Sequence, residues 1–332
     1  MIGPLLDART VLTKSPWEFV TLWLMREKKA DALVYWNQAR RLADAAIGMP
    51  IEASPLVHYY SFLNAAKALL AAKGIPFHEH HGVRAHNIRG ASRKISISNE
   101  GVRILAKGVV ASLAAYLGDK EASAIHSLKA LLFNIPFVHR TYCLSYRSQS
   151  EMFLTVKSAG YVFDSVSKTA YLQTTLSDDF AAKNYLKRLP SGFIRDPMNF
   201  EDLQVIRSKD SVPLSSRTLT KSADVQNIMK LHQDVRHELQ YINGTQTLWY
   251  VKGVVKGPAL LERSPLTLTI AAMHRLSELC RYRPVEFESF LAGQRNWLLS
   301  EFVLMSPEQF LDGIASEITG HQFMLPNVRP AT

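Results

Sequence analysis

The densest run of candidate ligands in the chain is His78-Glu-His-His-Gly-Val-Arg-Ala-His86, with four histidines and one carboxylate. Imidazole suits zinc, nickel or copper. Close-packed histidines in one loop rarely complete a four-ligand site, however, and no cysteine lies near. His-Glu-His-His also lacks the two histidines one helical turn apart that a His-Glu-x-x-His metalloprotease uses. The expectation is a turn with solvated imidazoles, holding no metal and no cofactor. The same loop runs on through Arg84, Arg89, Arg93 and Lys94 with no acidic residue between them. Together with backbone donors at Gly82 and Gly90, these side chains would suit phosphates. A solvated basic loop is the competing reading.

Other constellations are thinner. Cys143 lies near His139, and Cys280 follows His274 by six residues, so a thiol–imidazole pair could form in either place. Against that, cysteine on an apolar helix face is usually core. His232, Asp234, Arg236, His237 and Glu238 would spread around an exposed helix rather than converge. No phosphate-binding Gly-x-x-x-x-Gly-Lys-Ser/Thr and no Gly-x-Ser-x-Gly nucleophile elbow occurs. No catalytic residue can be assigned on these grounds.

The elements that would position these groups read as mostly helical. Ser15-Pro16, Ser54-Pro55, Ser264-Pro265 and Ser306-Pro307 each precede an apolar-periodic run. Serine caps free N–H groups and proline loses nothing at the next position, so all four read as helix starts. Further helices are expected at about 31–47, 100–117, 123–133 and 224–240, and one over 285–302. Met152–Lys157, Tyr161–Val166 and Thr169–Leu176 read as a small antiparallel meander. Leu203–Arg207 and Thr247–Val255 are further strand candidates, and Ser208–Ser222 reads as a flexible linker. The expected fold is mainly α. An N-terminal helical region (1–138) and a C-terminal one (257–332) pack together, with a small antiparallel β-containing middle region (139–256). Packing of the two ends would make one composite domain.

Net charge is +10, and its distribution is lopsided. Residues 1–150 carry 19 Lys/Arg against 10 Asp/Glu, whereas residues 151–332 carry 20 against 19. Such a field attracts polyanions, nucleic acid among them. Two cysteines in 332 residues suit a reducing compartment. The first residues lack the apolar core of a secretory signal, and the most apolar stretch, Val109–Leu117, is too short to span a bilayer. The expectation is therefore a cytoplasmic protein with no membrane association.

Three stretches occur in order: Ser54-Pro-Leu-Val-His-Tyr-Tyr-Ser-Phe-Leu-Asn-Ala-Ala-Lys-Ala-Leu-Leu70 with the following His81-Gly82; Ser127-Leu-Lys-Ala-Leu-Leu-Phe-Asn-Ile-Pro136; and Leu276-Ser-Glu-Leu-Cys-Arg-Tyr-Arg-Pro284. Their order and spacing resemble the bacterial YaaC-like family over most of the chain. The resemblance implies no assigned activity. It marks Tyr59, Tyr60, Lys67, His81, Gly82, Arg281, Tyr282 and Pro284 as matching positions, either of a site or of helix packing and a turn. The tyrosine-rich helix and the Arg-Tyr-x-Pro element also resemble the helical HEPN superfamily. The catalytic pattern of that superfamily, Arg followed by His after four to six residues, is absent here.

Lys67 lies seven residues after Tyr60, so both can share a helix face. If the helical ends pack together, Lys67, His81 and Arg281 would line one cleft for an anionic ligand. The competing reading pairs Arg281 with Glu278 or Glu286. The function expected is a non-catalytic or accessory protein that binds nucleic acid or a partner protein; a bacterial stress or phage-defence setting rests on the HEPN analogy alone. The alternatives are a nuclease or nucleotide-processing enzyme with a site near His81 and Arg281, and a structural subunit of a homo-oligomer.

Overall fold

The structure is a computed structural model that describes residues 10–88, 96–197, 204–244, 247–255, 260–293 and 296–324. The chain opens with β1 (Thr10–Leu12), α1 (Pro16–Arg26), α2 (Ala30–Ala46) and α3 (Ser54–Ala72). Next come β2 (Val83–Asn87), β3 (Glu100–Ile104), α4 (Val109–Leu117), β4 (Ile125–Ser127), α5 (Leu128–Phe133) and α6 (Pro136–Ser145). The middle holds β5 (Phe153–Asp164), β6 (Thr169–Leu176), α7 (Lys183–Leu186), β7 (Phe193–Arg195), β8 (Val205–Ser208) and β9 (Val212–Pro213). It continues through α8 (Ser222–Val235), β10 (Leu239–Ile242) and β11 (Leu248–Lys252). The end holds α9 (Pro265–Tyr282), α10 (Pro284–Leu291), α11 (Asn296–Thr319) and β12 (Gln322–Met324). Two compact units result: a sheet unit over Ser150–Gly257, and a helical unit that joins Leu6–Gln149 to Pro258–Thr332.

The expected mainly α fold with a small β region is overturned. Helix makes up 49% and strand 19% of the described residues, and the sheet unit is built on a large antiparallel sheet of seven strands. Its order is β10-β11-β5-β6-β8-β7, with β9 paired to β6. The two strands expected over 152–166 are one long strand, β5, bent by a bulge between Lys157 and Gly160, so it reaches both β11 and β6. The stretch expected to be a linker, 208–222, contributes β9 and is pinned to α8. There the Asp224 carboxylate accepts the Ser215 N–H at 3.1 Å and also the Ser215 hydroxyl. The helix expected to run to residue 240 stops at Val235, and Leu239–Ile242 becomes an edge strand. Leu231 and Val235 of α8 pack with Leu154, Leu172, Ile206 and Val251 of the sheet to form this unit's core.

In the helical unit α3 is the central element. It packs against α2, α4, α9 and α11, and its small residues Ala65, Ala66, Ala68 and Ala72 are buried there. Three Ser-Pro steps start helices as expected. Ser15 Oγ accepts the Glu18 N–H and Ser264 Oγ accepts the Thr267 N–H, whereas Ser54 is the first residue of α3 and makes no side-chain cap. The fourth does not: Ser306-Pro307 lies inside α11, where Ser306 is fully buried. The apolar face of α11, with Phe302, Val303, Phe310 and Ile314 all buried, runs through that proline. The helix expected over 285–302 is instead divided between α10 and α11.

The helices expected at 100–117 and 123–133 each begin as a strand. β3 pairs with β2 and β4 in a three-stranded antiparallel sheet, and Val83, Val102 and Ile104 are buried on the side that meets α9. Glu100, at the start of β3, is fully buried and ion-paired to Arg275 of α9 and, at 3.0 Å, to Arg283 at the end of α9. No helix of the described residues is long and apolar enough to cross a membrane.

Candidate ligand site around His81

The site grows from three segments of the helical unit. Helix α3 supplies Tyr59, Tyr60 and Lys67. Helix α9 supplies His274, Glu278 and Arg281, whose spacing of four and three residues puts them on one face. The turn between α3 and β2 supplies Glu79, His80 and His81.

That turn is fixed by backbone. The carbonyls of His80 and His81 accept the Val109 and Val110 N–H groups, each at 3.0 Å, and so cap the start of α4. The Gly82 carbonyl accepts the Leu105 N–H at 2.9 Å. Gly82 has φ +75°, and a Cβ there would come within 2.9 Å of the Gly108 carbonyl carbon. Only glycine meets both demands, so the His81-Gly82 step is the chemistry of a close backbone crossing.

The crossing delivers the His81 ring into a cage of rings. Its centroid lies 5.4 Å from Tyr59, 5.8 Å from Tyr60 and 6.3 Å from His274. Tyr59 and His274 form the floor: their rings are 4.9 Å apart and both residues are buried. Lys67 and Arg281 form the rim. Lys67 Nζ donates to Glu79 Oε2 at 2.6 Å, and Tyr35 donates to the other oxygen at 3.0 Å. Arg281 donates to Glu278 Oε1 at 2.8 Å and to the Tyr60 hydroxyl, with its guanidinium 4.3 Å over the Tyr282 ring. Each cation is thus held by one carboxylate with N–H groups to spare.

The electrostatics follow from this arrangement. Burial lowers the His81 pKa, and the Lys67 and Arg281 charges push it the same way. Burial, then the charges of His81, Arg275 and Arg281, lower His274 to about 3. Burial raises the Tyr59 pKa, with Tyr60 and Glu278 adding to the effect. At neutral pH the site therefore presents two neutral imidazoles and the Tyr59 phenol beside Lys67 and Arg281. The Tyr59 hydroxyl and His274 Nδ1 find no hydrogen-bond partner among the described residues.

Lys67, His81 and Arg281 thus converge, since His81 lies within electrostatic reach of both cations. The Arg281–Glu278 pair weighed against them is present as well. Of the basic loop, Arg89, Arg93 and Lys94 lie outside the described residues. Arg84 is exposed on β2, directly opposite the exposed Arg103 of β3. Sequence reasoning did not place Tyr35, Glu79 or His274 in the site. The 274-278-281 spacing was the available signal for His274.

Among the described residues no group of three or more His, Cys, Asp or Glu could hold a metal ion. The thiol–imidazole pair exists at His139 and Cys143. His139 Nδ1 donates to the Phe133 carbonyl at 2.7 Å, leaving Nε2 to accept the Cys143 thiol at 3.4 Å. Both residues are buried. Cys280 donates instead to the Ser277 carbonyl at 3.3 Å. A separate cavity of about 370 Å³ is lined by Glu121, His126, Ile125 and Leu261 among others. His126 there is engaged by Arg263 Nε at 3.0 Å and by the Ser123 carbonyl.

The family model described as YaaC-like protein matches residues 8–318. The chain belongs to the YaaC-like protein family. No curated protein and no solved structure matches it, and the HEPN likeness gains no support from these comparisons. The family match covers every segment of the His81 site, from Tyr35 to Arg281.

Proposed function

We propose that the helical unit of this YaaC-like protein binds a small phosphate-bearing ligand at the His81 site. One observation carries the reading: Lys67, His81 and Arg281 come from three separate segments to one partly buried rim beside a buried floor of Tyr59 and His274. Arg281 and Lys67 supply charge-assisted donors, and neutral His81 supplies one more. The carboxylates Glu79 and Glu278 each engage one of the two cations and leave it N–H groups to spare. The test is isothermal titration with inorganic phosphate. Removing a charge-assisted bond costs about 1.5–3 kcal/mol, so Arg281→Ala should weaken phosphate by about tenfold or more. The thermal midpoint should barely move, because the Arg281–Glu278 pair is a helix-surface pair worth only a few tenths of a kcal/mol. Equal affinity in wild type and variant overturns the assignment.

A second reading is that the exposed face of the β2-β3-β4 sheet contacts nucleic acid. It is favoured by Arg84 facing Arg103 across β2 and β3. Like charges directly opposite one another destabilise a sheet, and a polyanion relieves that repulsion. Nothing in the geometry bears on stress or phage defence.

A further inference from the structure

Two polar atoms in the floor of the His81 site stand out. Tyr59 is 1% exposed and His274 is 4% exposed. Neither the Tyr59 hydroxyl nor His274 Nδ1 has a hydrogen-bond partner among the described residues. A buried donor or acceptor left unmade is costly to a fold, and here two occur side by side on packed rings 4.9 Å apart. Both rings border the site, packed against the His81 ring at 5.4 Å and 6.3 Å.

The chemistry of the pair is narrow. Burial keeps the tyrosine a phenol and the histidine an uncharged imidazole. A phenol O–H and the bare Nδ1 of an uncharged imidazole together suit a group that can accept from one and donate to the other. A ligand hydroxyl matches them, since it can accept from Tyr59 Oη and donate to His274 Nδ1. The rim above them, with Lys67 and Arg281, suits phosphate.

Resting on the phosphate reading above, we infer that the ligand is a phosphorylated sugar, its phosphate at the rim and a sugar hydroxyl seated between Tyr59 and His274. A free sugar phosphate and a nucleotide share this chemistry. The phosphate is held by charge and the sugar by two neutral hydrogen bonds, so the two contributions separate by mutation.

The experiment is isothermal titration of the full chain with inorganic phosphate, ribose 5-phosphate and adenosine 5′-monophosphate. Wild type should bind ribose 5-phosphate about tenfold tighter than phosphate, the worth of one to two buried hydrogen bonds. In Tyr59→Phe that ratio should shrink to about threefold or less. Because the hydroxyl is unsatisfied in the free protein, Tyr59→Phe should also raise the thermal midpoint of the unliganded chain. Ribose 5-phosphate equal to adenosine 5′-monophosphate assigns a free sugar phosphate; a clear gain from the base assigns a nucleotide, and both results uphold the inference. Phosphate binding with no preference for ribose 5-phosphate overturns the inference and leaves the phosphate reading standing. An unchanged ratio in Tyr59→Phe, or a lowered midpoint, also overturns it. No binding of any of the three overturns both.

Discussion

Mild acid should destabilise the helical unit by several kcal/mol. His274 and His126 have pKa values lowered to about 3 and about 4 by burial, from 6.5 in the unfolded chain. The sign follows from proton counts. Between pH 6.5 and the folded values, the unfolded chain binds a proton that the fold excludes, so stability falls as pH falls. Both residues are buried, at 4% and 3% exposure, so little solvent screening reduces the effect. By pH 5 each histidine forfeits 1.5 pH units at 1.36 kcal/mol per unit, about 2 kcal/mol, or about 4 kcal/mol for the two. That is a large share of a typical stability of roughly 5–15 kcal/mol. His58 and His81, also lowered by burial, act in the same direction; Asp119, raised by burial, acts against them.

A difference measurement isolates one residue from this background. Urea unfolding at pH 7.5 and pH 5 can be followed by tryptophan fluorescence, because Trp17, Trp23, Trp36 and Trp297 lie in the helical unit and Trp249 alone in the sheet unit. His274→Gln removes the titrating group, so its loss between the two pH values should be smaller than that of wild type by about 2 kcal/mol. Equal losses in the two proteins would refute the argument that burial holds His274 neutral.

Gly82→Ala should cost roughly 2–4 kcal/mol in urea unfolding, since its Cβ meets the Gly108 backbone at a positive φ; a loss below about 1 kcal/mol would mean that the crossing can shift. Glu100→Ala should cost about 3–5 kcal/mol by the same assay, because it strands Arg275 in the interior; a neutral result would contradict the ion pair. Glu278→Gln should tighten phosphate binding about threefold or more by freeing the Arg281 fork from a competing anion, and weaker binding would mean that Glu278 positions the arginine. The double variant Arg84→Ala, Arg103→Ala should flatten the salt dependence of any RNA binding by about two counterions; an unchanged slope removes the sheet face from consideration.

What was legible in the sequence was long, strongly periodic and local. Helix α3 carries apolar residues at helical spacing over five turns, and it begins at the Ser54-Pro55 step expected to start it. The short strands were not legible. β3 is Glu-Gly-Val-Arg-Ile, five residues that run into the apolar Val109–Leu117 helix, and periodicity alone joins the two. The signal that separates them is Gly108 at φ +112°. Its need for glycine comes from Gly82, which is distant in sequence. The extent of the large sheet was hidden for a similar reason. β9 is two residues long and β10 four, and each is held by partners that no local pattern reveals.

The same division explains why Lys67, His81 and Arg281 could be named while the floor of their site could not. His81 stands out as one of a histidine run, but what it faces is set by the rotation of α9 about its axis. That rotation is keyed on an adjacent side of the helix. Arg275 follows His274 by one residue, about 100° around the helix, and is anchored to the buried Glu100 at the start of β3. With Arg275 fixed there, positions 274, 278 and 281 turn to α3 and His81. Arg283, bound to both Glu100 and Glu286, ties the end of α9 to the start of α10 and holds that register. The buried ion cluster therefore does two things. It offsets the cost of placing an acid in the interior, and it aims the ligand-facing side of α9. The second is a long-range consequence of the first, and it appears only once β3 is recognised as a strand.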